Sequence, residues 1–149
     1  MTTDIDRVKI RKALESDLST IHEVERKSFK DPYPPFFIDL LFKLNSDTFL
    51  VAEKANKVIG YIIASKERNS GNIISIAVVP EERGRAIGQA LMTKTLGILK
   101  KIGVDIVRLE VRRSNVEAQK FYETQGFSHS HDIAGYYGNE DALVYYKAI

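Results

Sequence analysis

The sequence predicts a mixed α/β fold, one sheet covered by helices on both faces. Strand and helix periodicities alternate along the chain in the order strand, two helices, three strands, helix, strand, helix, two strands. One strand candidate, "NIISIAVVP" at residues 72–80, is apolar on both faces, which places it centrally in a covered sheet. The 149 residues, 44% hydrophobic and 28% charged, suit one domain, residues 1–149, with a sizeable core.

Each element has a local reason. "RVKIRKA" alternates and reads as a first strand. In "ESDLSTIHEVERKSF", Leu18, Ile21 and Val24 share a helical face, and Ser16 or Asp17 is the expected cap. "KDPYPPFF" ends that helix, because its three prolines cannot sit inside one; a short apolar helix follows from Phe36 to Leu44. "TFLVAEKANKVIGYIIASKE" reads as two strands around a polar turn at Ala55, Asn56 and Lys57. Beyond the central strand, Ile87, Leu91, Ile98 and Ile102 recur at helical spacing until Gly103 closes the helix. "DIVRLEV" is the next strand. "SNVE" predicts a capping box from Ser114 to Glu117, opening a helix that ends before Gly126. "FSHSHDI" and "DALVYYK" finish as strands around "AGYYGNE".

Composition narrows the chemistry. A net charge of +2, from 22 basic and 20 acidic residues, gives no global field for nucleic acid or a membrane surface. Without an apolar leader or a run of membrane-spanning length, the cytoplasm is the expected compartment. The absence of cysteine excludes a thiolate metal site and an acyl-cysteine intermediate, so group transfer must be direct or use another nucleophile. His129 and His131 share one side of a strand but have no third ligand in view; they read as exposed strand residues, and no metal is expected.

The chemistry is expected in "SIAVVPEERGRAIGQALM", residues 75–92. Arg83, Gly84, Arg85 and Gly88 stand where the central strand hands over to a helix. Small residues admit a ligand close to the backbone, and a helix's first turn offers unpaired N–H groups to an anion. The stretch is neither a Walker loop nor the dinucleotide fingerprint. The plain alternative is that the glycines serve packing and the arginines are solvated. A nucleic-acid-binding helix built on Arg83, Arg85 and Lys94 is disfavoured by the near-neutral net charge.

This turn resembles the acetyl-CoA pyrophosphate loop of the GNAT N-acetyltransferases, Gln/Arg-x-x-Gly-x-Gly/Ala. Arg83 matches the first position and Gly88 the last, while Ala86 replaces the middle glycine and is expected in a helical first turn. The resemblance implies the GNAT fold, with a single mixed, mostly antiparallel sheet, and acetyl-CoA as co-substrate. It assigns the diphosphate to Arg83, Gly84, Arg85, Ala86, Ile87, Gly88 and Gln89, and the pantetheine arm to the backbone of Ile76, Ala77 and Val78.

"LEVRRSNVEAQKFYETQGF", residues 109–127, is similar to the strand–helix unit of RimI-type protein N-terminal acetyltransferases. The likeness implies Glu110 as general base, Asn115 as a CoA contact, and Tyr122 as both a CoA contact and the acid for the departing thiolate. The chemistry agrees: an amine must lose a proton before attacking a thioester, and the thiolate must gain one. "AGYYGNEDA" resembles the substrate loop of RimI-like and archaeal Nα-acetyltransferases, implying that Tyr136 and Tyr137 line the groove for a protein N-terminus. "SFKDPYPPFF" resembles the opposite wall and implies Phe29, Asp31 and Tyr33, with Asp31 as a second carboxylate near the amine.

The resulting expectation is an acetyl-CoA-dependent protein N-terminal acetyltransferase working by direct attack in a ternary complex, with a homodimer or an auxiliary subunit left open. Its rivals are a GNAT enzyme acting on a small amine or a lysine side chain, and an acetyl-CoA-binding module without turnover.

Overall fold

A computed structural model describes residues 7–149. Seven strands form one sheet: β1 (Lys9–Lys12), β2 (Phe49–Lys54), β3 (Lys57–Glu67), β4 (Ser70–Val78), β5 (Ile106–Arg112), β6 (Ser128–Ile133) and β7 (Ala142–Ala148). Four α-helices accompany them: α1 (Leu18–Ser28), α2 (Pro35–Leu44), α3 (Ile87–Lys101) and α4 (Val116–Thr124). Their order along the chain is the one the periodicities predict.

The sheet runs β1-β2-β3-β4-β5-β7-β6, with β4 fourth of seven, and is antiparallel except where β4 meets β5. Alternation sends the two faces of β2 and β3 into different cores. Leu50, Ala52, Ile62 and Ala64 pack with Ile87, Leu91, Met92 and Leu99 of α3. Phe49, Val51, Tyr61 and Ile63 pack with Ile21 and Val24 of α1 and with Ile38 and Leu41 of α2. Helices therefore cover both faces.

Two irregularities of β4 prepare the site. Ile63 pairs with Ser75 but Ala64 with Ile73, so Ile74 is an extra residue in the ladder, a β-bulge. The bulge turns both Ile74 and Ser75 toward the α1 side. The parallel pairing of β4 with β5 covers only Ser70–Asn72 against Ile106–Arg108. From Ile73 to Val78 the edge of β4 that faces β5 has no strand partner among the described residues.

Three local expectations are corrected. Asp17 is the N-cap residue of α1, but its side chain makes no bond to that helix; its carboxylate takes hydrogen bonds from Arg11 of β1, a pairing that local sequence does not show, and from the Leu14 N–H at the head of a 3₁₀ turn. The cap of α4 is Asn115, whose Oδ1 accepts from the Ala118 N–H at 3.1 Å, because Ser114 turns away to donate to Glu140. Along α3 the buried stripe continues through Thr95 and Leu99, whereas Ile102 is 44% exposed. The helix has lost its cover by that turn.

Candidate acetyl-transfer site

Leu109 and Val111 of β5 enter the α3-side core, so Arg108, Glu110 and Arg112 share the other face. Arg108 Nε donates to Glu110 Oε1 at 2.7 Å, and Arg108 Nη1 donates to the Tyr146 hydroxyl at 3.0 Å. Glu110 Oε2 accepts nothing from the described residues. Glu110 closes one end of a polar trough of about 390 Å³ that runs over Ser65, Asn72, Arg108 and Tyr146.

Two walls rise beside it. One is the α1–α2 connection, where Tyr33 packs on Phe37 at 5.1 Å between ring centroids. The Phe29 N–H closes α1 on the Glu25 carbonyl, which turns the chain into this wall. The other wall is the β6–β7 loop, where Tyr136 and Tyr137 meet edge-on at 5.0 Å and Tyr136 stays 49% exposed. Arg112 fastens both walls to β5. It donates to Asp31 at 2.7 Å and to Glu140 at 2.8 Å, and its guanidinium lies 4.2 Å from the Tyr137 ring centroid. Asp31 thus has one oxygen occupied by Arg112.

The phenols report a shared, partly dry space. Burial pushes the Tyr33 phenol above its ordinary value, and Tyr136, Glu25 and Glu110 add to the shift. Tyr136 and Tyr137 are raised the same way, burial first and Glu110 contributing. Tyr122 comes from the opposite side of the sheet, packed against Phe121 and Phe127. Its phenol is raised well above the usual range by burial and then by Tyr33, so it keeps its proton at neutral pH. Tyr33 thus lies within electrostatic reach of both Glu110 and Tyr122.

The arginine–glycine turn supplies donors rather than an elaborate side-chain cradle. Gly84 has φ +77, and Arg83 Nε donates to the Val78 carbonyl at 2.9 Å, pinning the end of β4. The first helical hydrogen bond of α3 runs from the Ala90 N–H to the Ala86 carbonyl, which leaves the N–H groups of Ile87, Gly88 and Gln89 open. Ala86 is not in a helical first turn. It is the N-cap, left-handed at φ 62 and ψ 18, where glycine is the unstrained residue. Gly88 also has a packing duty: a Cβ there would lie 3.3 Å from the Phe121 ring.

These groups fit a CoA thioester. The open N–H groups of α3 suit a diphosphate. The free edge of β4 offers Ile76, Ala77 and Val78 to the amides of a pantetheine arm. Asn115 stands at the head of α4 with its amide nitrogen unengaged among the described residues. No group of three or more metal-ligating residues occurs among the described residues; His129 pairs with Asp132 at 2.6 Å.

Glu25 is the residue that sequence reasoning missed. It is 2% exposed beneath Tyr33, and accepts from the Tyr61 and Ser75 hydroxyls and the Tyr33 N–H. The signal was present: Ile21, Val24 and Glu25 lie on one helical face, so a glutamate stands in the apolar stripe.

The chain matches the acetyltransferase (GNAT) family over residues 18–127. An N-alpha-acetyltransferase of Sulfurisphaera tokodaii is 31% identical, the match covering 91% of this chain and 90% of that protein. A putative ribosomal protein bS18-alanine N-acetyltransferase of Bacillus subtilis is 29% identical, with 96% and 97% covered. The crystal structure of Ard1 from Thermoplasma volcanium superposes with a TM-score of 0.92 at 28% identity, covering 96% of this chain and 98% of that one. The chain belongs to the acetyltransferase (GNAT) family, whose enzymes use acetyl-CoA, and has RimI-like and archaeal N-alpha-acetyltransferases among its relatives.

Proposed function

We propose that this chain, residues 1–149 acting as one domain, transfers the acetyl group of acetyl-CoA to the α-amino group of protein N-termini. The observation that carries the reading is the two-walled groove over Glu110, with Tyr33 on one side and Tyr136 and Tyr137 on the other, both walls tied to Arg112. Such a groove suits an extended chain end entering head first. The names of the relatives in Sulfurisphaera tokodaii and Bacillus subtilis point the same way.

In this reading the N–H groups of Ile87, Gly88 and Gln89 hold the diphosphate, and the β4 edge aligns the pantetheine arm so that the thioester lies in the gap between β4 and β5. Backbone N–H groups of β4 polarise the thioester carbonyl and stabilise the oxyanion. Glu110 Oε2 takes the proton of the ammonium, directly or through one water. The free amine attacks the carbonyl carbon; the C–N bond forms, the C–S bond breaks, and Tyr122 donates its proton to the departing sulfur. With no cysteine in the chain, no acetyl-cysteine can intervene. The proton that the new C–N bond leaves in excess on nitrogen passes through water to the Tyr122 phenolate, and Glu110 gives the ammonium's proton to bulk solvent, so both groups regain their starting states.

Incubating a library of free-N-terminus peptides with acetyl-CoA and mapping the added acetyl group by mass spectrometry tests this. Modification should fall on the α-amine. Acetylation of lysine side chains or polyamines at equal rates would replace the reading by the small-amine one, and binding of acetyl-CoA without CoA release by the non-catalytic one.

A further inference from the structure

We infer that Glu25 is a positioning residue that couples the peptide wall to the acetyl-CoA strand, a role that rests on the function proposed above. Its two oxygens have separate duties. Oε1 accepts from the Tyr61 hydroxyl of β3 and, at 2.9 Å, from the Ser75 hydroxyl at the bulge of β4. Oε2 accepts from the Tyr33 N–H at 3.0 Å. One buried carboxylate therefore spans from the strand that would carry the thioester to the wall that would carry the peptide.

The sequence of the wall makes this tether singular. In "DPYPPF", residues 31–36, positions 32, 34 and 35 are prolines and have no N–H. Tyr33 supplies the only backbone donor from residue 32 to residue 35, and it is spent on Glu25. The prolines stiffen the segment, but stiffness alone does not set its height above the sheet. The hydrogen bond to Oε2 fixes it from within, beside the Asp31–Arg112 pair on the outside.

Glu25 has no cation within ion-pair distance among the described residues; neutral donors alone satisfy it. Desolvating a carboxylate for that arrangement is costly when a serine or glutamine would fill a helix face more cheaply. Three donors converge on its two oxygens, and of these only the Tyr33 N–H is obliged to donate. A glutamine turned with its oxygen to that N–H and its NH₂ to the two hydroxyls, which can accept, keeps the tether; an alanine leaves the N–H with no partner.

Glu25→Ala, Glu25→Gln and Tyr61→Phe separate the tether from plain packing. Tyr61→Phe removes a donor to Oε1 and leaves the Tyr33 bond intact, so peptide KM should stay within about twofold, whatever the loss in Tm. Glu25→Ala should raise peptide KM about tenfold or more, while acetyl-CoA KM stays nearly unchanged, and Glu25→Gln should largely restore it. Amide hydrogen exchange on the free proteins gives a readout independent of activity: Tyr33 should be protected in the wild type, in Tyr61→Phe and in Glu25→Gln, and exchange quickly in Glu25→Ala. Where Glu25→Ala does not accumulate, Glu25→Asp, one methylene too short to span both sides, should show the same loss. Retained protection of Tyr33 in Glu25→Ala, or kinetic losses in Tyr61→Phe equal to those in Glu25→Ala, would overturn the coupling. Failure of the wild type to acetylate any N-terminus, together with lost Tyr33 protection in Glu25→Ala, would refute the function and leave the tether standing.

Discussion

Arg112 and Asp31 meet at 2.7 Å across 81 residues of sequence, and the same guanidinium reaches Glu140 at 2.8 Å. One side chain on a rigid strand thus sets the spacing of two loops. Arg112→Lys keeps the charge but cannot make the fork to two carboxylates or lie flat on Tyr137. Peptide KM should rise roughly tenfold with acetyl-CoA KM unchanged. Because Asp31 is largely exposed, Tm should fall by only a few degrees. A proportional rise in both KM values would show that Arg112 supports the whole site rather than the groove.

Which carboxylate takes the amine's proton is decided by comparing two variants. Glu110 sits on β5 with one oxygen unengaged among the described residues, whereas Asp31 is held by Arg112. Glu110→Gln should lower kcat/KM by about 10²-fold or more and flatten the acidic limb of its pH profile. Asp31→Asn should act chiefly through peptide KM. If Asp31→Asn abolishes turnover at matched pH while Glu110→Gln spares it, the roles are exchanged.

Tyr122→Phe keeps the ring among Phe121 and Phe127 and removes only the hydroxyl. Loss of a positioned acid lowers kcat by ~10²–10⁴ while acetyl-CoA still binds. The raised phenol adds a pH signature. Folded Tyr122 holds its proton more tightly than the unfolded chain does, so its contribution to stability is complete below pH ~10 and is lost as pH rises through the folded value. Spectrophotometric titration should show one late-ionising tyrosine fewer in the variant. A kcat within about threefold of wild type would reduce Tyr122 to a packing residue.

Gln89 tests the diphosphate site without disturbing the fold. It is exposed in the first turn of α3, where a carboxylate is favourable to the helix by about 0.3–1 kcal/mol. Gln89→Glu should therefore hold or raise the Tm of the free protein, yet weaken acetyl-CoA by several-fold at low salt, less so at high salt. Calorimetry showing unchanged affinity at low salt would move the diphosphate elsewhere.

Ala86→Gly relieves the left-handed N-cap. Glycine's larger unfolded-state entropy offsets part of the gain, so Tm should rise by only about 1–3 °C. A fall in Tm would mean that the alanine methyl has a packing role.

Periodicity and punctuation determined the element order, because the 3.6 and 2.0 repeats are written locally. The same holds for the apolar β4, the proline break and the arginine–glycine turn, whereas Glu110, Asn115 and Tyr122 were proposed by the likeness of residues 109–127 to the RimI-type unit. What only the tertiary structure decided is which polar groups meet. Asp17 heads α1 but spends its carboxylate on Arg11 and the Leu14 N–H, Ser114 turns to Glu140, Ala86 takes a strained cap, and Gly88 yields to Phe121. The Glu25 tether joins residues separated by 8, 36 and 50 positions. A hydrogen bond depends on angles and ångström distances between elements, and no local repeat encodes those; they exist only once the sheet has brought its helices and loops to one place.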